Sequence, residues 1–334
     1  MQRLKDWKTI MGLALPSVVS FAATTFSGTM SLIMVGQLGA AAIAIVGVTN
    51  IIMYNIWALF SGIGHSVNYL VAQSFGAGDI RKGLERTQIA LIIAALMALL
   101  VLAAGLLFAQ DMLRLIGGEA SKSLVEGSNY LQIRFFAMSF GIITFLFHGF
   151  FRGTGDTVTP MVLTFVSNLI MVVLTYAWTY GRFGFEAYGL TGAGWAFFAA
   201  EAAGFLGCLY AYFVRLHPRY RTRSWMPMQR GEARLIASES GKLGVQEASL
   251  SVSMLIFTIF VAYLGEAALA ANEVALNVMS VGFMPAFAFG STATILVGRH
   301  IGRGSPLEAR RSGTDTAILG TIFLLVVGTA EFFF

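Results

Sequence analysis

Nine predominantly apolar runs, each long enough to cross a bilayer, follow one another along this chain with short polar connections between them. They lie near residues 10–35, 43–71, 88–110, 130–150, 160–180, 190–214, 236–263, 269–297 and 315–334, and a spanning helix needs about 20 such residues. Composition agrees: 57% of residues are hydrophobic and 12% charged, with mean hydropathy +0.74, against about 25% charged in an ordinary soluble domain. A buried core cannot absorb that deficit, so the solvent is lipid. In lipid a lone strand leaves its backbone groups unpaired, so every run is read as a helix. The fold class expected is an all-α polytopic membrane protein. The first run is too long for the apolar core of a secretory signal and is taken as the first span. The single cysteine, Cys208, sits in an apolar stretch and reads as packing.

The basic residues orient the chain. With the N-terminus in the cytosol, all Lys and Arg residues except Arg114, Lys122, Arg134 and Arg182 fall on the cytosolic side, as the positive-inside rule expects of nine spans. The net charge of +5 is therefore assigned to membrane orientation, and no nucleic-acid partner is expected. The longest cytosolic connection carries Pro218, Pro227 and Arg219, Arg221, Arg223, Arg230 and Arg234. This divides the chain into a six-helix lobe over 1–215, a basic linker over 216–237 lying on the anionic inner leaflet, and three further helices over 238–334.

An internal repeat follows the linker. At an offset of 226, Leu38-Gly39 falls on Leu264-Gly265, Ala41-Ala42 on Ala267-Ala268, Met53 on Met279, Gly64 on Gly290, Leu70-Val71 on Leu296-Val297, and Gly76 and Gly78 on Gly302 and Gly304. An even number of spans separates the copies, so they face the same way. Parallel repeats of this kind build two lobes around a central site in secondary transporters. The second copy reaches only its third span by Phe334.

Three motifs carry a family resemblance: Leu13-Ala14-Leu15-Pro16 with Met34-Val35-Gly36-Gln37-Leu38-Gly39; Val71-Ala72-Gln73-Ser74-Phe75-Gly76-Ala77-Gly78; and Phe151-Arg152-Gly153-Thr154-Gly155-Asp156-Thr157-Val158-Thr159-Pro160. Gly192-Ala193-Gly194 and Val297-Gly298-Arg299-His300-Ile301-Gly302 add to it. The chain resembles the multidrug and toxin extrusion family throughout its length. The resemblance implies a twelve-helix, two-lobed fold that exports organic cations or amphipathic compounds in exchange for Na+ or H+, of which this chain would hold the first lobe and half of the second. Read from the residues alone, Gly153 and Gly155 permit a tight turn, Thr159-Pro160 looks like an N-cap and first helical position, and Arg152 and Asp156 are candidates for a surface pair or a cytosolic gate.

Other activities find no motif. There is no phosphate-binding loop, Gly117 to Ser123 being an incomplete look-alike, and no metal-ligand spacing or nucleophile elbow. No enzyme activity, cofactor or metal is expected beyond a coupling ion. Intramembrane acids are default functional candidates: Glu201, among small residues in the sixth run, then Glu247 and Glu273; Glu331 closes the last run. The second run is unusually polar, and Asn50, Tyr54, Trp57, Ser61, His65 and Asn68 recur at helical spacing as one stripe, with Asn55 beside it. A stripe facing a water-filled cleft and a stripe joining helix to helix are both open. Tyr54 and Trp57 offer ring faces to a flat cation, and His65 and His148 are membrane histidines with packing as their default role. Asn168 matches an asparagine that the family carries.

The departures from the family are informative. Its ion-binding acids and second asparagine correspond here to Ser31, Met171, Thr175 and Met254, with Glu247 about two turns before the last. The expectation is that Glu201 replaces the lost acid, in a cleft lined by Asn50, Asn55, His65, Asn168 and Glu201. Two rivals stand beside antiport: a non-transporting or partner-dependent membrane protein, and a lipid-linked precursor flippase, which needs cationic side chains inside the membrane.

Overall fold

A computed structural model describes residues 2–117 and 121–333, apart from some side chains within the helices, and among these residues the only regular structure is helical. The elements are α1 (Gln2–Gly36), α2 (Ala40–Gly76), α3 (Ile80–Gly117), α4 (Ser121–Gly153), α5 (Val158–Tyr180), α6 (Gly189–Tyr210), which continues as a π turn (Ala211–Arg215), the short α7 (His217–Tyr220), α8 (Arg230–Ala262), α9 (Glu266–Gly302) and α10 (Pro306–Phe333). Apart from α7 and the π turn, they correspond one to one to the nine predicted runs. Eight of them (α1 to α6, α8 and α10) are long and apolar enough to cross a membrane; α9, several of whose side chains are outside the description, is not among the eight. The chain is an integral, multi-pass membrane protein. Gly118 to Ala120, within the phosphate-loop look-alike, and the side chain of Glu331 lie outside the described residues.

Helices α2 and α9 have 37 residues each, about 55 Å at about 1.5 Å per residue. They outrun an apolar slab of about 30 Å, which is why their ends pass beyond the apolar runs. Several hydroxyls are satisfied within their own helix. In α1, Thr24, Thr25, Ser27 and Thr29 each donate to a carbonyl one turn back.

Helices α1 to α6 pack as one bundle through the pairs α2–α4, α3–α4, α5–α6, α4–α6 and α1–α5, while α9 pairs with α10. The two groups meet where α2 lies against α8 and α9, and α1 against α9. The connection from α6 to α8 is docked on the bundle. Gln88 on α3 donates to the Ser224 carbonyl and accepts from the Met226 amide, the Gln229 amide donates to Glu85, and Met226 is buried.

The offset of 226 recurs in the backbone. Gly39 and Gly265 precede α2 and α9 with φ of 113° and 103°; Gly78 and Gly304 follow with φ of 78° and 72°. The ends of α2, Ala40 and Gly76, and the start of α3, Ile80, map onto Glu266, Gly302 and Pro306. These positive-φ glycines set where each copy turns, so the repeat is one of backbone conformation as well as of residues.

Candidate functional site

Ion pairs and close contacts bring one set of helix ends together: Asp6 with Arg311, Gly76 and Gly155 with Arg299, and Lys82 and Arg86 with Glu232. This is the basic end of the molecule. From Asn55 to this end α2 is sealed against α8 and α9. Along α8, Ser251 donates to the Asn55 side chain (2.9 Å), the Ser66 and Ser240 hydroxyls bond at 2.7 Å, and Tyr69 donates to Glu239 (2.6 Å). Against α9, Asn68 donates to Ser291 (3.3 Å), and Arg299 reaches over to donate to the Thr154 carbonyl at the α4–α5 turn.

The deepest contact obeys the repeat. A Cβ on Gly76 would meet the Arg299 carbonyl oxygen at 2.2 Å, and one on Gly302 would meet the Gln73 carbonyl oxygen at 2.0 Å. Gly76 maps onto Gly302 and Gln73 onto Arg299 at the offset of 226, so the crossing of α2 and α9 is self-complementary. A Cβ on Gly298, which maps onto Ala72, would stand 3.0 Å from that residue's Cβ.

The polar stripe of α2 divides along its length. Asn50 is exposed and Tyr54 is 55% exposed, stacked on Trp57 at 6.2 Å and within electrostatic range of Glu247 on α8. Further along, Trp57 and His65 both set ring edges against Phe145 of α4 (5.7 and 5.2 Å), Ser61 donates to its own helix, and Asn68 is buried. The expected stripe therefore exists as a helix face, but only its far end is open; from Trp57 onwards it is spent on packing.

Glu201 is half-buried on α6, its carboxylate against α4 at Gly141, where a Cβ would stand 3.2 Å away. It makes no hydrogen bond or ion pair among the described residues. Arg134 is within electrostatic range of it, lies over the Phe197 ring at 3.9 Å and donates to the Tyr130 hydroxyl. Asn168 on α5 donates to Thr24 of α1 (3.2 Å). The structure thus places Glu201 between α4 and α6, Asn168 between α1 and α5, and Tyr54, Asn55 and Glu247 where α2 meets α8, with Asn50 exposed on α2; it does not gather them into one site. The side chain of Glu273 lies outside the described residues. A cavity of about 270 Å³ opens at the basic end, lined in part by Asp6, His300, Glu308 and Arg311 and away from Glu201.

Two expectations are corrected. Arg152 and Asp156 do not pair: Asp156 accepts from the Thr159 amide (2.9 Å) and hydroxyl (2.5 Å), whereas Arg152 is buried, its guanidinium 5.4 Å from the Phe21 ring centroid. The cap of α5 is therefore supplied by Asp156, because the helix already begins at Val158, ahead of Thr159-Pro160. Basic side chains do occur inside the molecule: besides Arg152, Arg86 is buried, bonded to the Leu70 carbonyl, Ser74 and Glu232. Arg86 stands before the third apolar run, but α3 starts at Ile80, so a helix carries its side chain inward. Arg299 was passed over as a motif residue; its register with Gln73 in the repeat was the available signal.

The MatE family model matches residues 16–177 and 243–334, two segments that flank the α6–α8 connection. The chain belongs to the MatE family. Among curated relatives it is 26% identical to the probable multidrug resistance protein NorM of Thermotoga maritima over 98% of this chain and 70% of that protein. It is 28% identical to NorM of Bradyrhizobium diazoefficiens over 95% and 68%, and 27% identical to the probable multidrug resistance protein YoeA of Bacillus subtilis over 89% and 65%. The chain therefore spans about two thirds of the length of these relatives. Among solved structures, a MATE protein in complex with MaD3S superposes with a TM-score of 0.84 at 20% identity, covering 94% of this chain and 70% of that one. An outward-facing MATE family transporter of the MOP superfamily superposes with a TM-score of 0.80 at 18% identity, covering 94% and 69%. At these identities the superpositions speak to the fold of the MatE chain.

Proposed function

We propose that this MatE chain is part of a secondary antiporter of the plasma membrane, exporting organic cations or amphipathic compounds by alternating access in exchange for Na+ or H+. Its N-terminus and basic end lie in the cytosol. The observation that carries the reading is the division of α2: a polar and aromatic face open at Asn50 and Tyr54, and sealed from Trp57 to Gly76 against α4, α8 and α9. In this reading the exposed end of α2 faces the cleft and the packed end closes it on the cytosolic side, one of the two states an alternating-access carrier must visit. The names of the NorM and YoeA relatives support the substrate class.

In this reading α1 to α6 form the first lobe, residues 216–237 connect the lobes, and α8 to α10 begin the second. The two lobes part and rejoin at the self-complementary α2–α9 crossing. Tyr54 and Trp57 offer stacked rings to a cationic or amphipathic solute, and Glu247 sets a negative charge opposite them. Glu201 is the ion-coupling group: a carboxylate within the bundle that no donor satisfies gains when an ion or a proton neutralises it.

The test is flux of a fluorescent organic cation in proteoliposomes holding the full-length protein, under an imposed Na+ or H+ gradient. Gradient-driven flux is expected, with the Glu201→Gln variant binding solute but losing the coupling. Absence of flux under both gradients would overturn the transport reading, and a Glu201→Gln variant as well coupled as the parent would remove Glu201 from it.

A further inference from the structure

One cluster in the α1–α6 bundle has no counter-charge. Arg152 is 6% exposed, and its Nε is buried without a hydrogen-bond partner. No described ion pair includes it. One turn along the same face of α4, His148 is 9% exposed and its Nε2 has no partner; one turn further, the hydroxyl of Thr144 has none. Helix α2 crosses α4 so closely here that a Cβ on Gly149 would stand 2.2 Å from the Gly64 carbonyl oxygen. That contact brings His65 alongside, and Arg152 is within electrostatic range of both histidines.

Groups near the cluster on other helices include the Phe21 ring on α1, and His65 and the buried Asn68 on α2, whose Oδ1 has no partner. No carboxylate is among them. Asp156 is engaged by Thr159, and Glu201 lies at the level of Gly141, about 16 Å along α4 from residue 152 at about 1.5 Å per residue. A guanidinium removed from water needs a negative partner; an aromatic face offsets only part of the cost. The unsatisfied Nε of Arg152 and hydroxyl of Thr144 are donors, and an imidazole nitrogen can be one.

We infer that Arg152, with His148 and His65, binds a small monovalent anion inside the first bundle. The burial of the guanidinium restricts it to a small ion such as a halide. Phe21, which covers the guanidinium, itself rests on Phe287 of α9 at 6.5 Å. The anion therefore exchanges with the solution at the basic end only when α9 moves away from α1. This assignment does not depend on what the protein transports.

Thermal unfolding of the purified full-length protein, titrated with sodium chloride against sodium gluconate at constant ionic strength, tests it. Chloride and bromide raise the unfolding temperature with a saturable dependence. Arg152→Gln abolishes the dependence, Arg152→Lys retains it, and His148→Gln shifts half-saturation to at least about tenfold higher chloride. A protein indifferent to halide, or an Arg152→Gln variant responding like the parent, overturns the site. Where Arg152→Gln fails to fold, an unshifted half-saturation in His148→Gln overturns it equally. Stabilisation by acetate without any by bromide assigns the cluster to a carboxylate and refutes the halide. In crystals grown with bromide, the anomalous peak falls beside Arg152.

Discussion

Replacing Gly76 with alanine should open the basic end of the molecule. The added Cβ would stand 2.2 Å from the Arg299 carbonyl oxygen and 2.7 Å from the Arg299 Cα. Ordinary contacts of this kind begin at about 3.3 Å, so α2 and α9 must separate by about 1 Å. The obstructing atoms are backbone inside a helix and cannot step aside as a side-chain tip would. Overpacking of this sort costs about 1–3 kcal/mol, and about 2 kcal/mol shifts a two-state equilibrium by a factor of about 30. The penalty falls on the closed arrangement alone, because parting the two helices relieves it. Spin labels at Arg81 and Leu307, both exposed, report the separation at that end by pulsed electron resonance. The one native cysteine, Cys208, is buried and leaves a low background. The parent should give a short, narrow distance distribution, and Gly76→Ala a longer or broader one. Gly302→Ala should do the same, since it meets Gln73 by the same repeat relation. Gly290→Ala, on α9 with open space around it, is the control and should change nothing. A Gly76→Ala protein with the parent's distribution and stability would show that the two backbones do not hold the closure.

Other outcomes follow from the same contacts. Glu232→Gln removes the partner of Arg86, whose side chain is 10% exposed in a 2.8 Å pair; leaving that guanidinium uncompensated should cost about 3 kcal/mol, seen as a lower unfolding temperature. Asp156→Ala deprives the start of α5 of its acceptor and should cost about 1 kcal/mol, measured in the same way, whereas Thr157→Ala, with no capping bond, should be near neutral. Arg299→Gln loses the charged donor to the Thr154 carbonyl, worth about 1.5–3 kcal/mol; the label distance at the basic end should lengthen without loss of the α1–α6 bundle.

The helices and the repeat were legible because both are set locally. A segment in lipid must satisfy its own backbone, so an apolar run of sufficient length is already a helix. Glycines at a fixed offset permit the same positive φ at Gly39 and Gly265 and at Gly78 and Gly304, which is why α2 and α9 begin and end in step. The candidate site was legible only in part. The stripe of α2 was found by its spacing, but spacing cannot say which neighbour covers it, and Phe145 closes the half that holds Trp57 and His65. Arg152 and Asp156 looked like a pair because they are four residues apart, the separation of neighbours on a helix. The chain leaves α4 at Gly153, however, so the two residues belong to different elements. By itself the sequence determined the membrane class, the helical segments and the twofold internal register, since each depends on residues close in the chain or on composition. Only the tertiary structure decided which end of α2 is sealed, that Arg152 and Arg86 are buried, and that Gly76 and Gly302 meet each other's helices. Those facts depend on which helices cross and at what depth, and helix crossing is fixed by contacts between residues far apart in the chain.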